Sequence, residues 1–376
     1  MNKFYMPIVI ALLLSFSVYP MQYVLSVNIN FLPIQFVIYL LILIYLFQYS
    51  FNSNFFKIIG YFIIYFVVIA LYNIVNPVSI ATNAIILSIF TFVLLLIVKN
   101  IKNNKIQYLD QILVYFFIIF IIYSLYLNLE HILQIGWVIR SKGFGSGTLY
   151  ATLSTIAIIY FTNKYKAKLI NLITYLLFII IPLWSILLTQ SRGALLILLL
   201  MLVYINSQHI KKIIKLSTFV IILGFIVILF FPDFFQLAFV KRIDPSSYNN
   251  LEELTSNRIQ TQEMIAKWLD NEQEIYKLIF GNGLNELKYL VNHSTYEFPH
   301  FDILYILYDG GYYSLLFYVF FIILIIKNNK SNVYMYIYLL SSLHTNMILS
   351  PAFIFLVFLL DRNNDRLNET KMKDNN

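Results

Sequence analysis

LINLITYLLFIIIPLWSILLTQ, residues 169–190, runs for 22 positions without one charged side chain. At roughly 1.5 Å per residue a helix of that length reaches about 33 Å, enough to cross a hydrocarbon core of about 30 Å. Comparable apolar runs occupy 5–26, 31–50, 58–75, 78–98, 106–127, 148–162, 193–206, 216–231, 308–326, 333–347 and 350–360. The whole chain follows the same bias: hydrophobic residues make up 60% and charged residues 12%, with a mean hydropathy of +0.77. A soluble domain carries roughly 25% charged residues. The expected fold is therefore an all-α polytopic membrane protein of about 12 transmembrane helices with one large, partly helical extracytoplasmic loop. The last two runs are open to two readings, a hairpin or one long helix kinked at Pro351. The first run follows a single Lys3 and lacks a small-residue cleavage pattern, so it reads as a span and not as a removed leader.

Orientation follows from the basic residues. Lys99, Lys102 and Lys105 share one connection, Lys164, Lys166 and Lys168 a second, Lys211, Lys212 and Lys215 a third, and Lys327 and Lys330 a fourth. These connections share one parity, and the positive-inside rule sets them in the cytoplasm. Both termini then lie there too. The expected organisation is spans one to nine in 1–232, a large outer loop in 233–300, spans ten to twelve in 301–361, and a cytoplasmic tail in 362–376. The outer loop holds ten of the chain's eighteen acidic residues, so the net charge of +8 belongs to inner loops facing anionic lipid. A nucleic-acid partner is not expected.

The chain has no cysteine, which removes disulfides, thiolate metal sites and cysteine nucleophiles together. It also carries no GxxxxGK[ST], GxGxxG or HExxH pattern, so neither a metal site nor a cofactor is expected. What remains is a short set of charged residues on the outer face. Arg140 and Lys142 lie in one short connection, and Arg192 lies in Thr189-Gln190-Ser191-Arg192-Gly193-Ala194, where two spans meet almost without a loop. Each could be a snorkelling side chain at a helix end. Two arginines on the side that disfavours them, beside Gly and Ser residues that permit close approach, favour an anionic ligand instead.

Within the outer loop a helix is expected from Asn257 as cap, with Met264, Ile265, Trp268 and Leu269 as its apolar stripe. Arg258 opens it, where the helix dipole disfavours a cation. A turn at Phe280-Gly281-Asn282-Gly283 precedes a second short helix over 284–291. The run Asp270, Glu272, Glu274 reads as a solvated face. His300 and Asp302 close the loop, and histidine exchanges a proton near neutral pH while a nearby carboxylate can orient its ring. Their spacing favours a strand or turn over one helix face, and His293 is a weaker competitor.

In order along the chain stand an arginine ahead of Gly143-Phe144, the Thr-Gln-Ser-Arg-Gly-Ala stretch, the Arg258 helix with Trp268, the Phe-Gly-Asn-Gly turn, and His300, Leu304, Gly311 and Ser314. This series resembles the O-antigen and capsular-polysaccharide polymerase family, whose relatives include the O-antigen ligases. Phe301 stands where that family carries an amide, and Ser314 where it carries a second glycine. The resemblance implies a metal-independent glycosyltransferase. Its donor and acceptor would be undecaprenyl-pyrophosphate-linked oligosaccharides, joined on the outer face of the bacterial cytoplasmic membrane. Arg192, Arg140, Arg258 and Lys142 would hold the pyrophosphate, His300 would take the acceptor's proton, and Asp302 would assist. A flippase and a chain-length regulator would be partners. A ligase-type transferase shares these marks, and a transporter of the same lipid-linked sugars is the reading from a different class, although no internal repeat supports it.

Overall fold

The computed structural model describes residues 109–134, 147–189, 191–206, 258–282, 287, 302–328 and 333–342, with the single positions 353, 356, 357, 359, 360 and 363. Among these, every regular element is a helix and none is a strand. The helices are α1 (Leu109–Gln134), α2 (Gly147–Lys166), α3 (Leu172–Leu188), α4 (Arg192–Ile205), α5 (Arg258–Asn271), α6 (Ile275–Phe280), α7 (Asp302–Asn328) and α8 (Val333–Ser342). The expected runs at 5–26, 31–50, 58–75, 78–98 and 216–231 lie outside the described residues. The chain divides into two compact units, one containing 113–249 and the other containing 27–112 and 250–376.

In the first unit α1 is apolar on two opposite faces. Leu113, Phe117, Phe120, Ser124, Leu127 and His131 are buried, and they recur at three- and four-residue intervals along one side. Tyr115, Ile119, Ile122, Tyr126, Leu129 and Leu133 recur at the same intervals along the other, where Ile122 is 63% and Leu133 84% exposed. A helix in water would make that second face polar. Asp110–His131 is, among the described residues, the one stretch long and apolar enough to cross a membrane unaided.

Helix α2 is the buried centre of this unit, and its composition explains why. Its Ala, Ser and Thr residues leave room for neighbouring helices to approach. The hydroxyls of Thr152, Thr155 and Thr162 donate back to the carbonyls of Thr148, Ala151 and Ile158 at 3.0, 3.0 and 2.7 Å, so they add no unsatisfied donor. The helix stops in a Schellman arrangement. Lys168 turns left-handed at φ 59°, its N–H reaches Tyr165 O, and Leu169 N–H reaches Lys164 O. Asn171 then caps α3 by accepting the Thr174 N–H at 2.8 Å.

Helix α4 runs parallel to α2. Thr155 Oγ1 lies 3.5 Å from Ala194 O, and Lys166 Nζ donates to Ile205 O at 2.7 Å, the same sequence offset at both ends. The lysine thereby closes the negative end of α4. With only 14 residues, α4 is about 21 Å long and starts level with the second turn of α2.

The second unit is built on α7, which is broken at Gly311 (φ 64°, ψ −170°). Its first part, as far as Gly310, packs with α5 and Leu287 around a small core. Ile265 and Leu287 are fully buried there, with Met264, Trp268, Leu304 and Tyr308 against them. Three of the four expected stripe residues of α5 thus face this core; the helix begins at Arg258, and its expected cap Asn257 lies outside the described residues. Helix α6 was not expected. The acidic run before it does local work: Glu272 accepts from Trp268 Nε1 at 3.1 Å and from Glu274 N–H at 3.1 Å, while Glu274 pairs with Lys277 at 2.6 Å. Beyond α8, Phe353, Leu356, Val357, Leu359 and Leu360 are helical and buried, and Asn363 donates to Asp110 at 3.0 Å.

Candidate functional site

Arg192 is the first residue of α4, and it is partly buried. The residue before it, Ser191, has N-cap backbone geometry but its hydroxyl makes no capping bond, and the Thr189 hydroxyl turns back to Ile186 O at 2.7 Å. The Ser191 side chain therefore does not cap the first-turn N–H groups at this positive helix end. The parallel offset of α2 and α4 brings Arg192 level with the second turn of α2, about 9 Å inside the start of that helix at roughly 1.5 Å per residue. A guanidinium is the side chain suited to a bidentate pair with a phosphate.

The same end of this unit contains a polar knot that sequence reading missed. Tyr150 is fully buried, and its hydroxyl lies 2.8 Å from Ser185 Oγ and 3.2 Å from Asn128 Oδ1. Asn128 Nδ2 donates to Ser185 Oγ at 2.9 Å, so α1, α2 and α3 are tied at one point. Ser185 in turn donates to Ile181 O at 3.0 Å, one residue before Pro182, whose missing N–H interrupts the helical ladder. The signal was available as single polar residues set in apolar runs, which in a membrane are retained for a reason.

In the second unit the marks at 258–271, 280–282 and 304–314 come together, and Gly283 lies outside the described residues. Trp268 and Tyr308 meet edge to face at 5.1 Å. Asn282 donates to Tyr308 O through its backbone N–H at 3.0 Å and its side chain at 3.3 Å. Gly281 (φ 83°) and Gly311 form an interlock. A Cβ on Gly281 would collide with the backbone of Asp309 and Gly310, and one on Gly311 would collide with Ile279 O and Gly281 N. Glycine is required at both places by backbone approach as well as by φ. Ser314 covers Gly310, which fits a small residue at that position.

Asp309 is a further residue that was not singled out. It is 2% exposed, and its Oδ1 accepts the Leu287 N–H at 2.9 Å, which fixes the chain that leads from the interlock toward His300. An acid inside an apolar run was its signal. Asp302 is the first residue of α7, so a helix begins where the spacing favoured a strand or turn. Arg258 is likewise the first residue of α5. Arg140, Lys142, His293 and His300, and the side chains of Arg258 and Asp302, lie outside the described residues. Among the described residues no group of three His, Asp or Glu is placed to hold a metal ion. In comparisons with known proteins the chain matches no family model, no curated protein and no solved structure.

Proposed function

We propose that this chain is a polytopic membrane glycosyltransferase that joins lipid-pyrophosphate-linked oligosaccharide repeat units on the outer face of a bacterial cytoplasmic membrane. The membrane part of the reading is carried by the outward faces of α1, α3, α4 and α7. Almost all their exposed described residues are apolar, which suits contact with lipid. In this reading about 12 helices span the bilayer, both termini are cytoplasmic, and the arginines named above are extracytoplasmic.

The chemical part is supported most by one observation: Arg192 opens α4 directly after Ser191, whose hydroxyl makes no capping bond. Pyrophosphate is a competent leaving group once its developing charge is held, and a planar guanidinium with helix N–H donors suits it. Arg140, Arg258 and Lys142 would add charge for the same group. His300, assisted by Asp302, would take the proton from the acceptor hydroxyl as that oxygen attacks the donor sugar and the lipid pyrophosphate departs.

The test is reconstitution of the purified protein with a synthetic lipid-pyrophosphate-linked repeat unit. Lengthening glycan in excess chelator, lost by on the order of 10²- to 10⁴-fold in His300→Ala, supports the reading. Activity that requires a divalent ion, or that survives intact in His300→Ala, would remove the assigned roles.

A further inference from the structure

Helix α6 has only six residues, and Ile275, Tyr276 and Ile279 are all exposed, Ile275 by 71%. At 100° per residue these three fall within an arc of about 100° on one side of the helix. Lys277, paired with Glu274, falls outside that arc. A short segment with an apolar arc and an ion pair beside it is amphipathic, and in contact with water alone the arc would be out of place.

Its position says what covers it. Helix α6 is clamped to the break in α7: Ile279 O and Gly281 N press against Gly311, and the Phe280 ring lies 5.8 Å from that of Tyr313. Directly beyond that break, Tyr312, Leu316, Val319 and Ile323 form an exposed apolar stripe at intervals of three and four, with Leu316 69% exposed. This stripe is the lipid-facing side of α7 in the membrane reading. Helix α6 lies against the break at which this stripe starts. Tyrosines mark the junction, Tyr312 on α7 and Tyr276 on α6, and the Tyr276 hydroxyl donates to Glu274 while the residue remains 44% exposed. Aromatic rings with one wet end collect at the boundary between headgroups and acyl chains.

We infer that α6 is an interfacial anchor: Ile275, Tyr276 and Ile279 rest in the outer leaflet at the headgroup boundary, and the small α5–α7 core is held at that surface. The partner is the bilayer itself. This rests on the membrane reading above and extends it to a segment that sequence reading assigned to the water-exposed loop. Its consequence is that the chain leading to His300 is tethered, through Asp309 and Leu287, to a body seated on the membrane, where the pyrophosphate of a lipid-linked substrate also lies.

The chain has no cysteine, so single cysteines can be labelled without removing others. Ile275→Cys, Ile279→Cys, Leu316→Cys and Asn271→Cys, each carrying a fluorophore, would be reconstituted in phosphatidylethanolamine and phosphatidylglycerol vesicles. Quenching would be read with lipids brominated at set depths and with iodide in the water. Labels at 275 and 279 should be quenched by shallow bromines and shielded from iodide several-fold relative to 271, while 316 responds to deeper bromines. Iodide quenching at 275 and 279 equal to that at 271, with 316 still reached by bromines, would put α6 in water and overturn the inference alone. Shielding of 275 and 279 from both quenchers would mean that protein covers them, which also overturns it. Failure of bromines to reach 316 would remove the membrane reading and the inference with it.

Discussion

Replacing Gly311 by alanine tests the interlock that joins α6 to α7. The native backbone at Gly311 (φ 64°, ψ −170°) lies in a region that side-chain-bearing residues rarely occupy, at a cost of about 1–3 kcal/mol. The new Cβ would also meet Ile279 O and Gly281 N, which are backbone atoms and cannot rotate away. Overpacking of this kind adds about 1–3 kcal/mol. The strain is relieved when the segment 275–282 leaves α7, so local opening should become more favourable by about 2–6 kcal/mol. At about 1.4 kcal/mol per decade that is roughly 30-fold to about 20,000-fold.

Hydrogen exchange followed by mass spectrometry would read this directly. Peptides over 275–282 should lose protection by that factor, and α2 should keep its own. Gly310→Ala is the contrast. Its Cβ would meet only the Ser314 side chain, so Gly310→Ala with Ser314→Gly should recover protection that the single change loses. No side-chain change can rescue Gly311→Ala in that way. Unaltered protection over 275–282 in Gly311→Ala would refute the interlock and the docking of α6 that depends on it.

Arg192→Ala should abolish polymer formation while the protein stays inserted, because a charge-assisted hydrogen bond contributes about 1.5–3 kcal/mol; Arg192→Lys should restore little, since a point charge does not reproduce a bidentate fork. Normal polymer from the alanine variant would reduce Arg192 to a helix-end side chain. In whole cells an impermeant thiol reagent should label Asn271→Cys and not Lys166→Cys, and the reverse pattern would invert the orientation. The Lys277 ammonium, and after it the Tyr276 hydroxyl, hold the Glu274 carboxyl below its ordinary value, while Glu274 raises the ammonium of Lys277. The contribution of Glu274 is therefore full above its unfolded pKa and lost only as pH falls through the lower folded value, while that of Lys277 is lost only as pH rises through its raised one. Protection at the start of α6, taken relative to the intrinsic exchange rate at each pH, should stay flat across the neutral range and fall slightly only in acid, and Glu274→Gln should remove that acid step.

Runs of apolar residues declared the helices of the first unit, but they could not declare the faces. Phe117 and Ile119 look alike within the run 106–127, yet one is buried in the unit and the other faces outward, because which neighbour packs on α1 is decided by tertiary contact. The stripe of α5 was legible because polar residues separate its apolar positions, so Ile265 and Trp268 could be assigned to a core before any fold was known. Helix α6 was not legible, since six residues after an acidic run carry too little periodicity to distinguish a helix from a turn. Gly311 was singled out together with Ser314, and Gly310 was not. That the helix breaks at Gly311 is set by the approach of Ile279 and Gly281, which lie some thirty residues away in sequence.

The candidate arginines gain a common physical description from the fold. Arg192 and Arg258 each stand at the first position of a helix, where a cation is unfavourable by about 0.3–1 kcal/mol. In the proposed function an anion bound at Arg192 would offset that cost, and more strongly as negative charge develops on a leaving group. An arginine placed in the last turn of a helix would have been stable in the empty protein and would have gained less from the same anion.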